Sequence, residues 1–206
     1  MSTPPHSTLG RIERRLRGEF GRRLVHASGS GLPILYLLGA SWEVVATLYV
    51  LCAVGVVVLD MLRLYVGLDL WIYEHLTREY EQENVAGYVL YMLSSAATWL
   101  LFDPLIAIPA ILMLTLGDPI SGTVGSGELQ LVKRPKALAM MFVVCAIIAT
   151  PFHYTTPLVV VFGALGGMIA DGVKPMIGDY VVDDNLTIPI LAASMMYLAV
   201  EILAVL

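Results

Sequence analysis

Residues 44–59 run without a single charged side chain, and the apolar character continues to Val66 past only Asp60 and Arg63. A hydrocarbon core takes about 20 residues of helix to cross. Further apolar stretches lie at about 24–40, 85–116, 137–171 and 186–206. In lipid the backbone must bond within its own segment, which makes such runs helices. Hydrophobic residues make up 58% of the 206, above the ~45–50% of a soluble domain. The chain therefore reads as an all-α integral membrane protein with no separate soluble domain. Cys52 and Cys145 lie deep in apolar runs, where they read as small buried hydrophobes. The polar start, without an apolar segment and cleavage site, predicts no cleaved signal peptide.

Two of the apolar regions are interrupted, one by Phe102-Asp103-Pro104 and one by Pro151 to Pro157. If both are hairpins, the chain has about seven transmembrane helices and a cytoplasmic N-terminus. All 12 Lys and Arg residues then fall in segments 1–23, 60–84, 117–136 and 171–185, as the positive-inside rule asks. A single span over 85–116 would put Lys133-Arg134-Pro135-Lys136 outside. The seven-span reading makes several spans short, with only about 14–17 apolar residues where a full crossing takes ~20. It divides the chain into a basic cytoplasmic segment, 1–23, and one transmembrane domain, 24–206. Its cytoplasmic loops are at about 67–84, 117–136 and 172–185. The first span, about 24–40, contains Ser28-Gly29-Ser30-Gly31 and can pack closely on a neighbour. Asp60 and Arg63 share a helix face and can pair. Leu68, Ile72, Leu76 and Tyr80 recur every four residues, which predicts a cytoplasmic amphipathic helix.

The same topology gathers carboxylates at one membrane face: Asp60, Glu81, Asp118, Asp171, Asp179, Asp183 and Asp184. Opposite them stand Arg63, Arg78, Lys133, Arg134, Lys136 and Lys174. Boundary carboxylates are costly unless paired, hydrated or metal-bound. Such a ring suits a magnesium-bound polyphosphate, since Mg²⁺ takes one or two carboxylates plus phosphate oxygens. Mutual pairing of the charges explains it equally. Gly117-Asp118-Pro119-Ile120-Ser121-Gly122-Thr123-Val124-Gly125 is either a turn between helices or a place where backbone approaches phosphate. It lacks the Walker spacing. In Asp183-Asp184-Asn185-Leu186-Thr187-Ile188-Pro189, Asp184 or Asn185 can cap the last span, with Pro189 near its first turn.

Taken in order, several of these stretches resemble one family, the CTP-dependent lipid-alcohol kinases. These comprise dolichol (polyprenol), phytol and yeast-type diacylglycerol kinases, related to the phosphatidate cytidylyltransferases. The matching pieces are Arg22-Arg23-Leu24-Val25-His26, Asp60-Met61-Leu62-Arg63-Leu64, Arg78-Glu79-Tyr80-Glu81 with Gly87, the Gly117–Gly125 element, Lys133, and Asp183 to Pro189. The similarity spans roughly residues 20–200, and the compact form looks most like an archaeal member. Two features depart from the family pattern. Lys133-Arg134-Pro135-Lys136-Ala137 replaces the usual Lys-Ser-x-Glu-Gly run, and Asp171 stands where a glutamate is common.

The resemblance implies phosphorylation of a membrane isoprenoid alcohol at the cytoplasmic leaflet of the cell membrane, with CTP as donor and Mg²⁺ as cofactor. It implies that Asp118 is a metal ligand, with Asp183 or Asp184 completing the metal site or polarising the hydroxyl. Gly117, Gly122, Thr123, Gly125 and Asn185 would lie against the nucleotide, and Lys133, Arg134 and Lys136 would neutralise its phosphates. Arg63, Arg78, Glu81, Asp171 and Lys174 would support the site, or else Arg63, Arg78 and Lys174 pair with Asp60, Glu81 and Asp171. His26 is either a packed, hydrogen-bonded residue or a general base. No nucleic-acid partner is expected. A cytidylyltransferase making a CDP-lipid is the alternative enzyme. A small transporter is the alternative from another class, although no internal repeat of the kind many transporters carry is visible.

Overall fold

The computed structural model describes residues 21, 23–68, 84–123, 132–177 and 180–206. Residues 23–28 are helical, and the chain turns at Gly29-Ser30 before α1 (Gly31–Leu37). The stretch predicted as one span over about 24–40 is thus two short helical pieces. The small residues Ser28 to Gly31 are the cause, since glycine and serine give up the helix more readily than their apolar neighbours. A Cβ on Gly29 would overlap the Tyr91 hydroxyl, so only glycine lets the chain pass Tyr91 here.

The helix α2 (Trp42–Met61) starts at Ser41, whose hydroxyl accepts from the Val44 N–H. It ends in a π-helical turn, Leu62–Val66, closed by Gly67 at φ 72°. Its partner α3 (Gly87–Leu101) is followed by α4 (Pro104–Leu112), and the break between them falls at Phe102-Asp103. Pro104 needs no N–H donor at the first helical position and so favours a start there. α4 does not stop at Leu112. It runs on through a π-helical turn, Met113–Gly117, and a last α-turn, Asp118–Ser121.

α5 (Pro135–His153) and α6 (Pro157–Gly172) form the second hairpin. A two-residue antiparallel ribbon, β1 (Met176–Ile177) with β2 (Tyr180–Val181), leads into α7 (Asp184–Val205). Among the described residues the fold is therefore helical apart from that ribbon and an isolated bridge between Val132 and Val173. Four helical stretches among the described residues are long and apolar enough to cross a membrane: Trp42–Val66, Pro104–Ser121, Pro135–His153 and Asp184–Val205. Gly87–Leu101 and Pro157–Gly172 are apolar but shorter. The predicted amphipathic helix at 67–84 and the basic segment 1–23 lie almost wholly outside the described residues.

Within the bundle α7 packs on α6, α3 and α4, and α5 packs on α6. Without a hydrophobic drive between helices in lipid, close packing needs small residues. Gly163, Gly166 and Gly167 supply them on α6: a Cβ on Gly166 would lie 2.8 Å from the Leu191 carbonyl oxygen. One core lies between α4, α5, α6 and α7 and includes Met113, Met141, Cys145 and Met196. The other surrounds Trp99, which stacks on Trp42 at 4.0 Å and meets Tyr36 and Tyr49.

The ends of α2 and α3 are clasped by Asp60. Its buried carboxylate accepts from Arg63 Nε at 2.8 Å, Tyr88 Oη at 2.7 Å and the Ala86 N–H at 3.4 Å. Arg63 also donates to the Asn84 carbonyl at 2.7 Å. Asp60→Leu breaks the buried pair and strips three donors of their acceptor. A loss of about 3 kcal/mol is expected, read as a melting temperature lower by roughly 6–12 °C in detergent.

Candidate functional site

Three aspartates from separate elements meet at one end of the bundle. Asp118 comes from the final turn of the α4 continuation, Asp171 from the end of α6, and Asp184 from the first turn of α7. One carboxylate oxygen from each lies within 4.8 Å of the others. Asp171 is fully buried and Asp184 nearly so, while the Asp118 side chain keeps 26% of its exposure. The site is thus closed at the back and open at Asp118.

Local structure explains each placement. Asp183 caps α7, accepting the Asn185 N–H at 2.9 Å. This puts Asp184 in the first helical turn, where the helix dipole favours a negative charge. Ser94 donates to the Asn185 carbonyl at 2.6 Å, and Thr187 donates to the Ala170 carbonyl at 3.3 Å. The start of α7 is thereby tied to both α3 and the end of α6. Asp171 is placed less favourably, at a helix C-terminus, and needs compensation. Lys133 provides it, with Nζ 2.6 Å from Asp171 Oδ1. The strand-like segment that carries Lys133 is fixed to α6 by Val132 pairing with Val173 and by the Lys133 N–H donating to Gly172 O at 2.9 Å. Ser121 donates weakly to Asp171 at 3.4 Å.

Lys174 Nζ lies 3.0 Å from Asp184 Oδ2, and Lys133 Nζ is 4.0 Å from the same atom. Lys174 was expected to pair with Asp171; it pairs with Asp184, and Lys133 takes Asp171. Burial works against the Lys133 ammonium, but Asp171, Asp118 and Asp184 outweigh it and hold its pKa above the ordinary lysine value. Among the described residues the cluster sets three carboxylates beside two ammonium groups, and hard oxygen donors at this separation suit a small hard cation.

The other sequence-stated candidates separate clearly. Gly117 is buried in the helix, where a Cβ would sit 3.3 Å from Met141 Cε; its role is to let α5 close in. The Gly117–Gly125 stretch was expected to be a turn or a phosphate loop, yet its first half is helix, because Pro104 to Ser121 runs on without a break. The Thr123 hydroxyl donates back to the Ile120 carbonyl at 2.6 Å. Asp183 serves as a helix cap, and it is Asp171 that joins Asp118 and Asp184. Arg134 and Lys136 are exposed at the start of α5, with no ion pair among the described residues. Arg63 belongs to the separate clasp around Asp60. Gly125, Arg78, Glu81 and Asp179 lie outside the described residues.

The site also contains Arg23, to which no role was given, and His26, read as either a packed residue or a general base. Arg23 donates to the Gly122 carbonyl at 3.0 Å, and His26 Nδ1 faces Asp118 Oδ2 at 3.8 Å. Their i, i+3 spacing puts both on one helix face, and that spacing is the signal in the sequence.

The chain matches no protein-family model, no curated protein and no solved structure. What the fold and the site define is a class: a helical protein with membrane-length apolar helices. At one end of its bundle it holds a three-carboxylate cluster flanked by two lysines.

Proposed function

We propose that this protein is a CTP-dependent kinase of a membrane isoprenoid alcohol, acting at the cytoplasmic leaflet of the cell membrane. The chain would cross the bilayer about seven times with its N-terminus inside. The observation that carries the reading is the convergence of Asp118, Asp171 and Asp184 with Lys133 and Lys174 at one bundle end. Of these, Asp118, Lys133 and Asp184 lie in stretches whose sequence resembles the lipid-alcohol kinases, and Asp171 stands where that family commonly has a glutamate. An acid cluster with adjacent ammonium groups, at the boundary of apolar helices, fits a reaction joining a polyphosphate to a lipid.

In the proposed reaction the alcohol oxygen forms a bond to the γ-phosphorus of CTP. The bond from that phosphorus to the β,γ-bridging oxygen breaks, and its electron pair leaves on CDP. The hydroxyl proton passes to a carboxylate of the cluster and then to water. Catalysis of this kind is largely positioning and charge neutralisation. Asp118 and Asp184 are the residues that would hold Mg²⁺, which when bound offsets phosphate charge. Asp171, fully buried, holds the Lys133 ammonium at the cluster, 4.0 Å from Asp184 Oδ2. Lys133 and Lys174 sit where they can meet phosphate oxygens, and Arg134 and Lys136 add positive charge at the rim.

The test is a purified-protein assay of radiolabelled CTP, ATP, GTP and UTP against polyprenol, geranylgeraniol, phytol and diacylglycerol. The expected result is γ-phosphate transfer from CTP to a long-chain prenol with release of CDP. Release of pyrophosphate with a CDP-lipid product would replace the kinase by a cytidylyltransferase. Solute flux into liposomes without nucleotide would replace it by a transporter.

A further inference from the structure

His26 lies in the helical segment 23–28, and three contacts fix it. Its ring rests against Tyr91 with centroids 4.7 Å apart. The Tyr91 hydroxyl donates to the His26 carbonyl at 3.2 Å. One helical turn away, Arg23 is anchored to Gly122. The ring is therefore held against the Asp118 turn and not left to rotate freely. Yet its Nδ1 is buried and has no hydrogen-bond partner among the described residues.

Asp118 Oδ2 faces it from 3.8 Å. That is too long for a hydrogen bond. It is a separation that one oxygen can bridge, lying about 2.8 Å from each. A buried polar atom kept in this state is costly unless something completes it.

The two walls select the chemistry of that group. An ionised carboxylate only accepts, and an imidazole nitrogen carrying its proton donates. In the tautomer that carries its proton on Nδ1, the bridging group accepts from His26 and donates to Asp118. A hydroxyl does both. A phosphate oxygen or carbonyl only accepts and would face the carboxylate, and an ammonium only donates. The surroundings add a direction: Leu24 and Val25, next to His26, are exposed apolar side chains. An apolar chain attached to the bridging hydroxyl would leave into lipid.

We propose that His26 Nδ1 and Asp118 Oδ2 together hold the hydroxyl of a lipid alcohol, which makes His26 a substrate-binding residue that places the acceptor oxygen beside the carboxylate cluster. The identification of this alcohol as the phosphoryl acceptor rests on the kinase reading; the hydroxyl seat rests on the geometry. No titration of His26 is required, only a donor at the Nδ1 position.

Equilibrium binding tests it without catalysis. Wild type, His26→Leu and His26→Asn are placed in lipid nanodiscs with a radiolabelled long-chain prenol or its methyl ether, which cannot donate. Wild type is expected to prefer the alcohol by about tenfold or more, because a site built around a hydroxyl rejects analogues that leave its groups unpaired. His26→Leu is expected to lose that preference. His26→Asn, whose amide N–H falls near the Nδ1 position, is expected to recover part of it. In the transfer assay, His26→Leu should raise the KM for the alcohol by about tenfold and leave the KM for CTP within about twofold. Equal binding of alcohol and ether by wild type, or an unchanged preference in His26→Leu, overturns the proposal and leaves a seat for water only. Selective alcohol binding with no phosphoryl transfer from any nucleotide would remove the kinase reading and leave the hydroxyl site standing.

Discussion

Asp118→Asn is expected to lower phosphoryl transfer by about 10³-fold or more, the scale set by loss of one charged group at a phosphoryl-transfer centre. The fold should survive. Asp118 is the most exposed of the three aspartates, with 26% of its side-chain surface open, and asparagine keeps its shape. The substitution removes one negative charge and one hard donor from a cluster whose oxygens lie within 4.8 Å of one another. Its effect should therefore fall on Mg²⁺-dependent turnover and hardly on the melting temperature. Asp171 provides the contrast. It is fully buried and carries the 2.6 Å pair with Lys133, so Asp171→Ala should cost about 3–5 kcal/mol of stability as well as activity. Full Mg²⁺-dependent transfer by Asp118→Asn would end the metal role assigned to it.

Gly166→Ala is expected to be the most damaging single-methyl change in the bundle. The added Cβ would lie 2.8 Å from the Leu191 carbonyl oxygen and 2.9 Å from Ala192 Cα. Both are backbone atoms of α7 and cannot swing aside, so α6 and α7 must part. Overpacking of this kind costs about 1–3 kcal/mol. The same two helices carry Asp171 and Asp184, so the shift also opens the carboxylate cluster. At Gly163 the new Cβ would meet Met196 Cγ and Sδ, atoms of a flexible side chain that can turn away. Gly163→Ala should therefore be much milder. Thermal unfolding of the two variants in detergent, beside the wild type, checks the order. Equal losses would mean that the α6–α7 contact is not limited by the backbone at Gly166.

Much of the helical layout was legible because each boundary has a local cause. Pro104, Pro135 and Pro157 each open a helix at its first position, and the breaks at Phe102-Asp103 and His153 to Thr156 follow from them. The Asp60–Arg63 pair was legible from its spacing alone. The first span was misread because a hydropathy pattern counts Gly29 and Ser30 as tolerated membrane residues. The helix gives way at these small residues, and the close approach of Tyr91, 62 positions further along the chain, leaves no room for a Cβ at Gly29. The Gly117–Gly125 stretch is helix as far as Ser121 and a turn at Gly122-Thr123. Its glycines signal a loop, yet buried packing of Gly117 against Met141 and Cys145 keeps that residue in helix.

For the site, the sequence alone singled out the acidic and basic residues that flank the apolar stretches, Asp118, Asp171, Asp184, Lys133 and Lys174 among them. It could not choose partners among them. Whether Lys133 meets Asp171 or Asp184, whether Asp183 caps a helix or faces the cluster, and whether His26 reaches Asp118 depend on how helices far apart in the chain close on one another. That closure was decided in three dimensions by glycine contacts between α6 and α7, by the bridge from Val132 to Val173, and by the Tyr91 contact beneath His26. Hydropathy and spacing report a residue's depth and its face on its own helix. The distance between two carboxylates is a property of packed helices, and packing is set by pairs of residues that no local pattern connects.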